Sequence, residues 1–211
     1  METKMQTTTE LTTKVLTGIK ERTTRDGRTS TKTPTHNDPL GAFETRDDVV
    51  LERMKQAASN MLRDVFFGRE KHWLSLIGSC GTGKTFLAGE MTKWAFRSIL
   101  NEHERLKSGV VKFFWPRLLS DLREQKYWLV NEIRDANWVM IDEIVIEHDP
   151  SGFAKDKLCE ILSSRVGRWT VLTSNLSLER LGELDTRIPS RMVRDDSTVI
   201  DCTTTDYALR T

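Results

Sequence analysis

Gly78-Ser79-Cys80-Gly81-Thr82-Gly83-Lys84-Thr85 is the stretch that decides the fold. It fits G-x-x-x-x-G-K-[ST] at every fixed position, directly after the apolar run Trp73-Leu74-Ser75-Leu76-Ile77 and before a segment with helical spacing. Glycines let the backbone wrap so that successive N–H groups converge on phosphate oxygens, and a helix opening there adds its positive end. Lys84 would reach the β- and γ-phosphates, and the Thr85 hydroxyl would ligate magnesium. The expected ligand of Gly78, Ser79, Cys80, Gly81, Thr82, Gly83, Lys84 and Thr85 is therefore ATP with Mg2+.

On either side of this loop, strand and helix patterns alternate. Upstream, Thr45 followed three residues later by Asp48 reads as a helix start. Val50, Met54, Ala57, Ala58, Met61, Leu62 and Val65 then repeat at helical spacing until Gly68. Downstream, a helix is expected over 86–100 with Leu87, Met91, Trp94, Ala95 and Ile99 inward, then a strand over 110–115. Pro116 suits the first turn of a helix running through Leu118, Leu119, Leu122 and Tyr127. Further strands are expected over 138–141, ending at Asp142-Glu143, and over 170–173, ending at Ser174-Asn175, with a helix over 153–166 between them. A short helical region over 188–194 leads to a last strand over 197–202. Strands apolar throughout, alternating with helices, predict an α/β P-loop NTPase domain with a five-stranded parallel sheet flanked by helices.

Asp142, at the end of its strand, would hold the magnesium through water, and Glu143 would orient and deprotonate an attacking water. Hydrolysis suits that pair better than phosphate transfer to a small molecule. Asn175 ends a strand on the side where parallel sheets bind ligands, so its amide would reach the γ-phosphate or the water; the alternative is a cap for the turn before Ser177-Leu178. Arg187 and Arg191 stand one helical turn apart, with Arg194 close behind. They read either as a solvated basic face or as a source of an arginine that neutralises transition-state charge across a subunit boundary. Phe113, Phe114, Trp115, Tyr127, Trp128 and Trp169 are candidates for stacking on single-stranded nucleic acid or for the core. Arg117, Arg123 and Lys126 beside Tyr127 and Trp128 form the best patch.

The 211 residues suffice for one domain with a sizeable core plus a modest appendage. Lys and Arg total 32 against 31 Asp and Glu, so nucleic-acid binding would need a local basic surface rather than bulk charge. Cys80, Cys159 and Cys202 are widely spaced, which predicts reduced thiols in a cytoplasmic protein and neither a disulfide framework nor a zinc site. No run approaches a membrane span, and residues 1–10 lack the apolar core of a signal peptide. With 13 threonines in the first 35 positions, residues 1–40 read as a mobile N-terminal arm. Leu11, Val15, Leu16 and Ile19 share one face of a possible partner-binding helix over 11–20, leaving 41–211 as the ATPase domain.

These elements, in this order and spacing, resemble the AAA+ ATPase domain of the DnaC-type replicative helicase loaders, and are similar to the IstB transposition helpers. The likeness covers residues 43–210, about four-fifths of the chain. It rests on the run from Phe43 into a helix, the P-loop, and the strand-then-helix over 112–122. Met140-Ile141-Asp142-Glu143-Ile144, Leu172-Thr173-Ser174-Asn175-Leu176, Arg187-Ile188-Pro189-Ser190-Arg191-Met192 and Asp206-Tyr207 complete it. The resemblance implies an AAA+ type fold, here without a separate C-terminal lid domain. It implies that Arg191 is the arginine finger through which copies self-assemble into a ring or spiral, and that the region 116–128 binds single-stranded DNA. The partner it implies is a hexameric replicative helicase, loaded with ATP bound and released on hydrolysis; for the helpers, the partner is duplex DNA. The sequence departs from the loaders at Ala208, which holds the place of the second-sensor arginine and leaves only Arg210 to substitute, and in its short N-terminal region. A nucleotide-gated adaptor with little turnover is a further reading, which Glu143 opposes and Ala208 leaves open. A small-molecule kinase would need an Arg-rich lid, for which 176–189 offers little room.

Overall fold

The computed structural model describes residues 38–102, 109–146, 149–194 and 197–209. The expected arm up to residue 37, with its helix over 11–20, and Arg210 lie outside them. Leu40 and Phe43 are already buried, and Lys55 on the following helix fastens the incoming segment through the Phe43 carbonyl at 3.0 Å and Asp38 at 3.3 Å.

Helix α1 covers Val49–Phe66. Its cap is Asp48, whose carboxylate accepts the N–H groups of Val50 at 2.8 Å and Leu51 at 2.9 Å. The expected start at Thr45 is therefore corrected by one turn: the Thr45 carbonyl instead receives the Asp48 N–H, and Arg46 and Asp47 sit at φ 49° and 56°. Gly68, at φ 63°, closes the helix in the left-handed conformation that glycine adopts without strain. Asp48 Oδ2 also accepts from the Thr204 hydroxyl at 2.8 Å, which ties the cap to the far end of the chain. Asp48→Ala should lower stability by about 1 kcal/mol, the usual worth of an N-cap, read as a drop in thermal midpoint.

Next come β1 (Trp73–Ile77), α2 (Lys84–Glu102), β2 (Val110–Phe114), α3 (Trp115–Arg123), α4 (Trp128–Asp135) and β3 (Trp138–Ile144). Then follow α5 (Phe153–Ser164), β4 (Trp169–Ser174), α6 (Leu178–Leu184), α7 (Arg187–Met192), β5 (Thr198–Asp201) and a 3-10 turn at Tyr207–Leu209. The five strands pair in parallel, as the alternating pattern predicts, and their order in the sheet is β2-β3-β4-β1-β5. Side chains alternate across the sheet. Leu74, Leu76, Met140 and Val171 meet α1 and α2 on one face; Ile77, Val139, Ile141 and Leu172 meet α3 to α7 on the other.

Besides shifts of a few residues at several ends, some elements depart further from the sequence reading. Trp115 does not end β2; it opens α3, is fully buried, and donates its indole N–H to the Val145 carbonyl at 2.9 Å. The helix expected to run from Pro116 through Tyr127 ends at Arg123; Gln125 at φ 64° follows, and a second helix that has no counterpart in the expected elements, α4, begins at Trp128. Apolar spacing continues through Leu129, Val130 and Ile133, so periodicity carries no sign of the break. Helix α6 has no counterpart in the expected elements; Ser177 caps it by accepting the Arg180 N–H at 3.1 Å.

Arg165, which by sequence sits on an ordinary helix end, is completely buried. Its guanidinium donates to the carbonyls of Ile133 (2.9 Å), Ala136 (2.6 Å) and Trp169 (2.7 Å) and to Thr170 Oγ1 (3.1 Å). Burial, helped by nearby Arg168, lowers its pKa to about 9, which still leaves it charged at neutral pH. This one side chain joins the end of α4 to the start of β4.

Candidate nucleotide site

Ligand crevices in parallel sheets lie at the carboxyl ends of the strands. Here the Gly78–Thr85 loop leaves the end of β1 between β4 and β5 and turns into α2. Gly78, Gly81 and Gly83 take φ 117°, 75° and 85°, the wrapped backbone that the motif's glycines permit. Lys84 is 6 % exposed, and its ammonium donates to the Gly78 carbonyl at 2.9 Å and to that of Ser79. Burial lowers its pKa, opposed by the charges of Asp142 and Glu143 among others.

The two residues expected at the metal are together. The Thr85 hydroxyl donates to Asp142 Oδ1 at 2.8 Å, and the Thr173 hydroxyl donates to the same oxygen at 2.7 Å. Asp142 Oδ2 instead faces Lys112 on β2, with Nζ at 4.0 Å. Thr173 also steadies the next residue along β3, because its oxygen accepts the backbone N–H of Glu143 at 2.8 Å. Neither Thr173 nor Lys112 stands out in the sequence, because their places depend on which strands lie side by side.

Glu143 adopts φ 57°, and the β3–β4 register slips there: Ile141 pairs with Leu172, yet Ile144 pairs with Ser174. Three steps on β3 thus match two on β4, the mark of a bulge. In a regular strand Asp142 and Glu143 would point to opposite faces. The extra residue brings Glu143 into the same cleft as the loop.

That cleft has a volume of about 910 Å³ and is lined by Cys80 through Phe86, Glu143 and Asn175, with Ala42, Phe43, Asp206 and Tyr207. The Phe43 ring stacks on Phe86 at 6.4 Å and on Tyr207 at 6.2 Å between centroids. Arg46 lies over the Tyr207 ring at 4.3 Å. The aromatic end thus comes from both ends of the described chain, which no local motif signals. Oxygen donors from Thr85 and Asp142 beside a buried lysine and a glycine loop are the donor set that suits magnesium and phosphates together.

Arg191 does not line this cleft. On α7 its guanidinium donates to Ser163 Oγ at 2.8 Å and to the Arg187 carbonyl at 2.9 Å. Arg187 is committed elsewhere, to Asp185 at 2.6 Å and Asp156 at 2.8 Å, and holds the Asp185 carboxyl below its usual range. Of the expected stacking residues, Trp115 and Trp169 belong to the core, whereas Phe114, Tyr127 and Trp128 are exposed. Arg117 and Lys126 are paired with Asp121 at 3.3 and 2.8 Å, and Arg123 is exposed nearby. Lys157 adds a cation 5.0 Å from the Tyr127 ring centre. Among the described residues no helix is long and apolar enough to cross a membrane, and no three His, Cys, Asp or Glu residues form a metal-binding group. Cys80, Cys159 and Cys202 are all free thiols.

No family model matches the sequence, and no curated protein resembles it closely enough to count as a relative. Solved structures do match. The DnaC helicase loader superposes with a TM-score of 0.61 at 16 % identity, over 79 % of this chain and 97 % of that one. DnaI gives 0.58 at 22 % identity over 74 % and 86 %. AMPPCP-bound DnaA from Aquifex aeolicus gives 0.54 at 14 % identity over 80 % and 51 %. At such identities the likeness concerns the fold alone: an α/β domain whose five-stranded parallel sheet has the strand order that matches AAA+ P-loop NTPase domains.

Proposed function

We propose that this cleft binds ATP with Mg2+ and hydrolyses it, and that the protein uses the cycle to place a hexameric replicative helicase on single-stranded DNA. The observation that carries the nucleotide reading is the Thr85–Asp142 contact set beside a buried lysine inside a glycine loop. Magnesium, when bound, would neutralise phosphate charge, held by Thr85 directly and by Asp142 through water. Lys84 would exchange its bonds to the loop carbonyls for phosphate oxygens. Glu143 would take a proton from a water poised on the γ-phosphorus, with Asn175 orienting that water or the phosphate. Arg191 would act on the ATP of a neighbouring copy, since its own cleft does not include it.

The loader assignment rests on the shared fold with DnaC and DnaI and on Tyr127, Trp128 and Arg123 exposed where a single strand could stack. The N-terminal arm, through Leu11, Val15, Leu16 and Ile19, would dock on the helicase, in the cytoplasm where replication proceeds.

Glu143→Gln should hold ATP as tightly as the parent while its turnover falls by about 10²-fold or more. It should then collect as nucleotide-dependent assemblies on single-stranded DNA, visible by sedimentation. Lys84→Ala should bind ATP so weakly that no assembly forms. A preference for duplex would favour a transposition helper instead. Parent-rate hydrolysis by Glu143→Gln would remove Glu143 as the base.

A further inference from the structure

After β5 the chain turns back across the phosphate loop. The Cys202 N–H bonds the Ile77 carbonyl at 2.6 Å, and Ser79 Oγ donates to the Thr204 carbonyl at 3.3 Å. The Tyr207 N–H reaches the Gly81 carbonyl at 2.7 Å. Between these last two contacts lies Asp206, whose carboxylate rests on the flank of Gly81. A Cβ placed on Gly81 would lie 2.7 Å from Asp206 Oδ1 and closer still to Oδ2. Gly81 must therefore be glycine for two reasons, its φ of 75° and the carboxylate that occupies its side-chain position.

A phosphate loop is an arrangement of N–H groups and a lysine that attracts anions. In this chain an anion belonging to the protein already lies against it, within the cleft that Cys80 to Thr85 line. A nucleoside triphosphate arriving in the loop brings several negative charges close to that carboxylate, in a partly enclosed site where screening is weaker than in water.

We propose that Asp206 is an affinity-limiting residue of the cleft, and that nucleotide binding drives residues 204–207 off the phosphate loop. This rests on the reading of the cleft as a nucleotide site. The displaced segment is tied to the front of the domain: Thr204 bonds Asp48, the cap of α1, and the Tyr207 carbonyl accepts from Arg46 at 3.2 Å. Movement of 204–207 therefore pulls on Arg46 and on the Asp48 cap, so that nucleotide occupancy is felt at the entry to α1.

The test is Asp206→Asn in the full chain, which keeps the shape and removes the charge. With ATP and Mg2+ followed by calorimetry, the variant should bind about fivefold or more tightly than the parent, the scale of one charge pair at close range. The gain should shrink at high salt. Asp206→Ala should also bind more tightly, which guards against an effect peculiar to the amide. In the parent, hydrogen exchange at the Tyr207 amide should quicken when ATP saturates the site. Equal or weaker binding by both variants, or an unchanged Tyr207 amide, overturns the proposal while leaving the nucleotide site standing. A folded parent that binds no nucleotide at all sinks the site reading, and this one with it.

Discussion

Arg191→Ala protein is expected to bind ATP like the parent and to hydrolyse it ~10³-fold more slowly, the usual effect of losing an arginine that neutralises transition-state charge. Arg191 sits on α7, beyond β4, and is held by Ser163 and the Arg187 carbonyl on a surface that its own cleft does not include. A neighbour stacked on that surface would receive the guanidinium at its own γ-phosphate. Turnover by the parent should accordingly rise with protein concentration, and that rise should vanish in the variant. Mixing supplies the decisive measurement. Lys84→Ala copies keep Arg191, and Arg191→Ala copies keep a working phosphate loop, so a mixture should recover hydrolysis that neither has alone. A mixture that co-assembles yet stays inactive would rule out action across the interface. Arg194 would then be examined, since Arg187 is already engaged by Asp156 and Asp185.

Arg165→Met should remove about 3–5 kcal/mol of stability, since several buried neutral acceptors lose their donor at about 1–3 kcal/mol each, partly offset because a charge is no longer buried. The side chain satisfies the carbonyls of Ile133, Ala136 and Trp169 in the interior, and methionine offers none of them a donor. Set against a total of roughly 5–15 kcal/mol for a domain, such a loss is a large fraction of what holds it folded. The urea midpoint should fall steeply with an unchanged slope. The fraction still folded should bind ATP at parental affinity, because the lesion lies at the opposite end of the strands from the phosphate loop. A change below about 1 kcal/mol, the worth of a single ordinary hydrogen bond, would mean that water replaces the guanidinium easily.

The parallel sheet, the phosphate loop and the Asp142-Glu143 pair were legible because each is written in neighbouring residues. An apolar run, a glycine spacing and a capping residue act over a few positions, and local physics enforces them. What escaped depends on distant partners. Thr173 gains its role from Asp142, 31 positions away, and Arg165 from Ile133, 32 positions away. Tyr207 and Asp206 meet Gly81 only because β5 pairs beside β1. Gln125 breaks a helix while hydrophobic spacing runs on undisturbed, so the pattern that found α3 concealed its end. Arg187 and Arg191 look equivalent at one-turn spacing, and only the acids of α5 and of the turn before α7 distinguish them.

Glu143 is the supernumerary residue of β3. Strike it out and Ile141 still faces Leu172, Ile144 still faces Ser174, and the strand is simply regular. Asp142, the phosphate loop and the apolar face of Ile141 and Ile144 need nothing from it. If the proposed function holds, the power to split ATP and the power to hold it are inherited on separable terms. On the proposed function, loss of that single codon would leave a descendant with its strand pairing regular and its glycine loop intact, yet without the carboxylate assigned to hydrolysis.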